Sequence, residues 1–313
     1  MLNRALSFYT KYFALWVAVF AVIAYFFPAP FTVLQPWNKW FFAVTMFGIG
    51  AVLCADDFKH ILKNPTLILI GTCAQFTIMP FGAFILAKAF NLPAEAAAGL
   101  ILAGAAPDAM AGNVMCYVAK ADTAYAVSLT TVSTLICPVV TPGLTYLLAG
   151  SRLEIQFWAM LIDVMLTVIV PLLAGFAVRH YFKKQVEKIL PVFPAISTTF
   201  IVFICALVIA LNRDFILQAT GPILAAVIIL NIGGMLGGYG VGALFRMDYR
   251  LKRTLAIQVG MQNAALGTRL AIDYIGPKAA IPTAFFIFIS ILTAALATAF
   301  WQRHPVRSRQ DFS

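Results

Sequence analysis

Pro107-Asp108-Ala109-Met110-Ala111-Gly112-Asn113 interrupts an otherwise apolar stretch that runs from residue 94 to 119. A second interruption, Gly260-Met261-Gln262-Asn263, sits inside the stretch 250–274. A bilayer offers no water to backbone N–H and C=O groups, so a helix broken at membrane depth must line a polar chamber or be covered by protein. Matched breaks in two halves of one chain point to a binding site near the midplane. The plainer alternative is that glycine and proline bend two packed helices. The Asn and Gln residues around both breaks favour the site.

Composition makes the membrane reading necessary. Of 313 residues, 62% are hydrophobic and 11% charged, against about 25% charged in a soluble domain. Ten stretches have the roughly 20-residue apolar length of a membrane span: 12–28, 37–55, 66–90, 94–119, 123–148, 157–182, 191–211, 219–245, 250–274 and 278–301. No strand alternation is present, which excludes a membrane β-barrel. The expected class is therefore an all-α polytopic membrane protein with ten transmembrane helices. The net charge of +10 reports topology, not nucleic acid. Alternate connections hold sixteen of the 22 Lys and Arg residues, and the positive-inside rule makes that side cytoplasmic. Both termini are then expected in the cytoplasm of a bacterial inner-membrane protein. Arg4 and Lys11 before an apolar run imitate a signal peptide, but removing that run spoils the charge alternation, so it is read as the first helix. The five cysteines (54, 73, 116, 137 and 205) are scattered with no CxxC and are read as small packing residues.

Gly150-Ser151-Arg152-Leu153-Glu154 separates two sets of five spans, 1–150 and 151–313. An odd number forces the second set to insert upside down, giving inverted repeats, each with its fourth span broken. Gln75, Asn113, Thr130, Gln258, Gln262 and Asn263 place amides and a hydroxyl within these spans. Each alone reads as interhelical glue. As a cluster, with the carbonyls freed at the breaks, they suit a weakly bound Na⁺, and half-helix N-termini suit anions.

Asn113-Val114-Met115-Cys116-Tyr117-Val118-Ala119-Lys120, Ser128-Leu129-Thr130-Thr131-Val132-Ser133-Thr134 and Ala256-Ile257-Gln258-Val259-Gly260-Met261-Gln262-Asn263, with Asp56-Asp57-Phe58 after the second span, resemble the bile acid:sodium symporter family through nearly the whole chain. The resemblance implies a panel domain (helices 1, 2, 6 and 7) and a core domain (helices 3–5 and 8–10), with the broken fourth and ninth helices crossing in the core. It implies a carrier of organic anions, often with two Na⁺. One implied sodium site uses Gln75, Gln258, Val259, Met261 and Gln262. The other uses Gly112, Asn113, Ala126, Thr130 and Gln258. There the family commonly has Ser at the positions of Gly112 and Ala126, and Glu at that of Gln258, so two oxygens and one negative charge are missing. Implied substrate contacts lie around Asn113, Asn263 and, on the tenth helix, Ser290; Asp108 and Met110 at the first break are added as candidate contacts. Losing a carboxylate from a low-dielectric cation site costs several kcal/mol, so weak or absent Na⁺ coupling is expected, with the second of these sites empty.

Asp108 stands where the family commonly has Gly. It can cap the short helix beginning near Asn113, carry a coupling proton, or select a cationic or neutral substrate by repelling anions. Asp163 either lines the cavity or hydrogen-bonds near the interface. Arg269 lies four residues before Asp273, the spacing of an intrahelical ion pair. His60, His180 and His304 lie in or beside basic segments and read as solvated surface. Pro138, Pro142 and Pro171 are expected to kink their helices. No HExxH, GxSxG, GxGD or nucleotide-binding pattern is present, so an intramembrane enzyme or ATP-driven pump is disfavoured, and a channel or uncoupled facilitator is the competing class. The expected partners are a small solute and the bilayer, with no cofactor beyond Na⁺ or H⁺.

Overall fold

The computed structural model describes residues 9, 13–53, 63–150, 153–190 and 192–303, and the backbone alone for 215–220. Asp56, Asp57, Phe58, His60, Cys54, Ser151, Arg152 and His304 lie outside the described residues. The order of helices is α1 (Phe13–Phe26), α2 (Ala29–Val33), α3 (Asn38–Val52), α4 (Pro65–Ala89), α5 (Ala94–Ala105), α6 (Met110–Val118), α7 (Thr123–Ala149) and α8 (Phe157–Tyr181), then α9 (Lys183–Ile189), α10 (Val192–Leu244), α11 (Tyr249–Gly260), α12 (Ala264–Tyr274) and α13 (Ala280–Arg303). Among the described residues, six runs are long and apolar enough to cross a membrane: α4, α7, α8, the parts Val192–Asp214 and Gly221–Leu244 of α10, and the segment Pro277–Arg303 that contains α13. Among the described residues there is no strand beyond one isolated bridge. This is a multi-pass, membrane-embedded helical protein. Large apolar side chains such as Leu69, Ile85, Leu147, Trp158, Leu236 and Leu296 point outward, a surface that only lipid can cover in bulk.

The expected stretches 191–211 and 219–245 correspond to the two apolar runs Val192–Asp214 and Gly221–Leu244, which helical backbone joins into α10. Other boundaries follow local chemistry. Asp122 caps α7 by accepting from Tyr125 N (2.9 Å), and Asp248 caps α11 by accepting from Arg250 N and Leu251 N, satisfying donors that a helix start leaves free. Helices α4, α6 and α10 end beside residues with positive φ, Asn91, Lys120 and Arg246, the left-handed turn common after a helix. Within α8, residues Met165–Ile169 widen into a π-turn just before Pro171, whose missing N–H is a cause of such local rewinding.

Packing explains why broken helices survive here. In α5 every residue from Ala96 to Ala105 is buried. The same holds for Arg253–Gly260 in α11 and Ala264–Ile272 in α12. A helix buried all round belongs at the centre of its assembly. There, protein groups replace water for an unwound backbone, as a membrane-depth break requires. Cys116, Cys137 and Cys205 are buried free thiols that pack among these helices, and Cys73 is exposed.

Candidate functional site

Helix α5 ends at Ala105 and α6 begins at Met110; α11 ends at Gly260 and α12 begins at Ala264. Between these ends the two unwound segments lie side by side as an antiparallel bridge, Asp108 against Gln262. Ala109 N donates to Met261 O (2.9 Å), and Asn263 N donates to Pro107 O (2.7 Å). Each break thus supplies the partners that the other lacks. The N-termini of α6 and α12 both open from this point, so two partial positive dipole ends adjoin it.

Side chains from four further helical segments close around the bridge. From α4, Gln75 Nε2 donates to Gln262 Oε1 (3.1 Å) and Ala106 O (3.3 Å). Gln262 Nε2 donates to Val259 O (2.8 Å). From α7, Thr141 donates to Ala105 O (2.6 Å), and Ser133 Oγ accepts from Asp108 N (3.2 Å). From the second run of α10, Asn231 Nδ2 donates to Gly260 O (2.7 Å), and from α13 Thr293 Oγ1 donates to Asn231 Oδ1 (2.5 Å). Asn263 caps α12 by accepting from Leu266 N (3.2 Å).

The expected sodium ligands fall into two neighbouring groups. Gln75, Val259, Met261 and Gln262 are buried at the bridge itself. Their oxygens are neutral, and carbonyl oxygens keep a second lone pair after accepting one hydrogen bond. Those remaining lone pairs are what a weakly held alkali cation would use. Asn113, Ala126, Thr130 and Gln258 form the second group: Gln258 Nε2 lies 2.7 Å from Asn113 Oδ1, 2.9 Å from Ala126 O and 3.2 Å from Thr130 Oγ1. Gly112 is buried against Gln258; a Cβ built on it would lie 2.5 Å from Gln258 Oε1. In this second group one nitrogen occupies the point where all three oxygens converge, whereas at the bridge Gln262 Oε1 and Val259 O each take a single side-chain donor.

Among the expected substrate contacts, Met110, Asn113 and Asn263 are half-buried around the bridge, whereas Asp108 is 1% exposed. Asp108 does not cap α6. That helix starts at Met110 with Ala109 as its N-cap residue and no side-chain cap bond. The carboxylate instead has Ser133 Oγ at 3.3 Å from Oδ2, while Oδ1 is buried without a partner. Ser290 is buried and donates to Ile287 O of its own helix (3.1 Å); three residues on, Thr293 is the α13 side chain tied into the network.

Asn231, Thr141 and Thr293 are members that sequence reading passed over, and Ser133 was named only within a motif. Asn231 carried a usable signal, an amide in the run Ile228-Ile229-Leu230-Asn231-Ile232, where an unpaired amide would be costly. Replacing Asn231 by Leu strands Gly260 O, while Thr293 Oγ1 keeps the carbonyls of its own helix, Ile289 O at 2.9 Å and Ser290 O at 3.2 Å. It is expected to lower stability by about 1–3 kcal/mol, measured as a loss of thermal stability in detergent, with Asn231→Asp recovering none of the donated bond.

Asp163, Arg269 and Asp273 form a separate charged cluster. Arg269, fully buried, pairs with Asp273 on α12 (3.2 Å), as the four-residue spacing implies, and also with Asp163 on α8. It donates to Thr167 Oγ1 as well (3.2 Å). Asp163 is thus half of a long-range ion pair.

The family model for the sodium bile acid symporter family matches residues 40–219 of the chain. An uncharacterized sodium-dependent transporter of Bacillus subtilis (strain 168), YocS, is 40% identical over 299 residues, covering 95% of this chain and 92% of that protein. The probable chloroplastic sodium/metabolite cotransporter BASS1 of Arabidopsis thaliana is 32% identical over 301 residues, covering 96% of this chain and 75% of the relative. BASS2 of Oryza sativa subsp. japonica, described in the same words, is 30% identical over 310 residues, covering 97% and 73%.

Proposed function

We propose, for a chain that belongs to the sodium bile acid symporter family, that it is a secondary carrier of a small organic anion working by alternating access around the paired breaks. The observation that carries this reading is the reciprocal pairing of Pro107–Ala109 with Met261–Asn263. Two half-helix N-termini and a set of neutral oxygens converge there, which suits an anion and a weakly held cation together. A channel needs no such paired discontinuity.

The ten-span, inverted-repeat architecture is part of the proposal. Counting α5 with α6 and α11 with α12 as interrupted spans, and α1 and α3 as short ones, gives ten, divided at 150. The panel would comprise α1, α3, α8 and the first run of α10; α3 packs on α8, and α10 on α1. The core would comprise α4–α7, the second run of α10, and α11–α13. The uneven placement of Lys and Arg supports cytoplasmic termini in a bacterial inner membrane. The Na⁺ reading confines coupling to the oxygens of Gln75, Val259, Met261 and Gln262, so one ion at most accompanies each turnover.

Proteoliposomes test this directly. Vesicles are preloaded with an unlabelled carboxylate chosen by thermal-shift screening, and labelled solute is added outside. The expected result is transient accumulation of label by exchange, stimulated by an inward Na⁺ gradient with single-ion dependence. Flux that does not accelerate with internal solute would make the protein a channel. Uptake driven by a pH gradient with no Na⁺ effect would replace the sodium reading by the proton-coupled alternative, and uptake indifferent to both gradients by the facilitator.

A further inference from the structure

Three oxygens of different chemical kinds, an amide carbonyl (Asn113 Oδ1), a backbone carbonyl (Ala126 O) and a hydroxyl (Thr130 Oγ1), converge within 3.2 Å of one nitrogen, Gln258 Nε2. Such a cluster of lone pairs normally surrounds a cation. An –NH₂ group carries two protons and a partial positive charge, and here it stands at the focus of the cluster. We infer that the Gln258 amide is a built-in surrogate for a cation, holding α6, α7 and α11 together as a bound ion would and leaving this group of residues unable to take one up.

The orientation of the amide follows from its surroundings. With the two amide atoms exchanged, a carbonyl oxygen would face Ala126 O, a backbone acceptor that cannot donate. In the orientation found, Oε1 is buried with no donor and rests against the Cα of Gly112, where any Cβ would crowd it. Gly112, Ala126 and Gln258 therefore make one arrangement. The small residues give the amide its place, and the amide removes the need for the oxygens they lack. Thr130 Oγ1, which also lies 2.9 Å from Asn113 Oδ1, completes the ring.

The inference rests on the carrier reading for its transport consequence, a coupling stoichiometry lower by one ion. Its test does not depend on transport. Purified protein is melted in NaCl and in choline chloride across a range of concentrations. In Gln258→Glu a carboxylate oxygen replaces Nε2 and faces three acceptors, so the variant is expected to melt lower than the native chain in choline, by about 5 °C or more, and to regain the difference in Na⁺. Equal melting of this variant in the two salts overturns the inference. The near-isosteric Thr130→Val in the native background serves as a second arm, decisive also if Gln258→Glu cannot be produced. It removes one oxygen of the cluster and is expected to leave the Na⁺ concentration at half-maximal stabilisation within twofold of the native value. A larger shift means that an ion does occupy the cluster and overturns the inference. A native chain that ignores Na⁺ altogether, beside a Gln258→Glu variant that responds, removes the sodium-coupled reading and leaves the amide surrogate standing.

Discussion

Arg269→Ala is expected to lower the stability of the folded chain by about 3–5 kcal/mol, the cost of breaking a buried ion pair from one side. The guanidinium is fully buried, held by Asp163 and Asp273 and by Thr167 Oγ1 at 3.2 Å, with the Phe42 ring 5.5 Å from its centre. Removing it leaves two carboxylates, 20% and 31% exposed, facing a shared space with Lys39 as the remaining nearby cation. The partners are unequal in kind. Asp273 lies one turn along the same helix, where such pairs contribute a few tenths of a kcal/mol. Asp163 lies 106 positions away in α8 and joins the proposed panel to the proposed core. Asp163→Asn should therefore cost more than Asp273→Asn, although neither should match Arg269→Ala. Replacing all three charged residues by apolar ones of similar volume should recover much of the loss, because no charge is then left stranded. Thermal unfolding in detergent, arranged as a double-mutant cycle between positions 163 and 269, reads the coupling. A cycle energy near zero would show that the pair holds nothing together.

Gly175→Val is expected to be of similar size, about 3 kcal/mol, the upper end of the cost of overpacking. A Cβ at Gly175 would land on the backbone oxygen of Phe47 in α3, and one at Gly50 on the backbone oxygen of Leu172 in α8. The two glycines thus let α3 and α8 approach backbone to backbone from opposite sides. Close approach over small residues is a principal way for helices to associate in lipid, where apolar side chains gain little by leaving their neighbours. A flexible side chain can move aside, but a carbonyl in a helix cannot. Folded, monodisperse protein should fall sharply for Gly175→Val and again for the double variant with Gly50→Val. Gly233→Ala, which meets no atom within 4 Å, is the control and should behave like the native chain. Equal yields and melting temperatures for Gly175→Val and the control would refute the packing account.

The residues that announce themselves in sequence are those whose chemistry is out of place in hydrocarbon. Pro107, Asp108 and Gln262 mark the breaks because a proline, a carboxylate and an amide within apolar runs have few innocent explanations. Arg269 with Asp273 was visible through helical spacing alone. The rest depends on contacts between distant parts of the chain. Nothing in Ile162-Asp163-Val164 indicates that its partner lies beyond residue 260, and the π-turn that precedes Pro171 alters which residues face inward. The role of Gln258 was half legible. A missing negative charge could be read from the residue type, but the direction of the amide is set by Asn113, Ala126 and Thr130 together. Continuous helix through 192–244 was hidden by its polar interruption, Asn212-Arg213-Asp214, which reads equally as a loop or as the wetted middle of a helix.

The exchange of two peptide hydrogen bonds between Pro107–Ala109 and Met261–Asn263 also bears on how the protein is made. The first four spans leave the ribosome with a carbonyl and an N–H that only a far later part of the chain can satisfy. At about 5–20 residues per second of synthesis, the nascent first half waits on the order of 10–30 s before its complement emerges. During that interval it cannot be a finished unit, and a chain truncated between the halves would remain a substrate for quality-control proteases. Neither half can mature without the other.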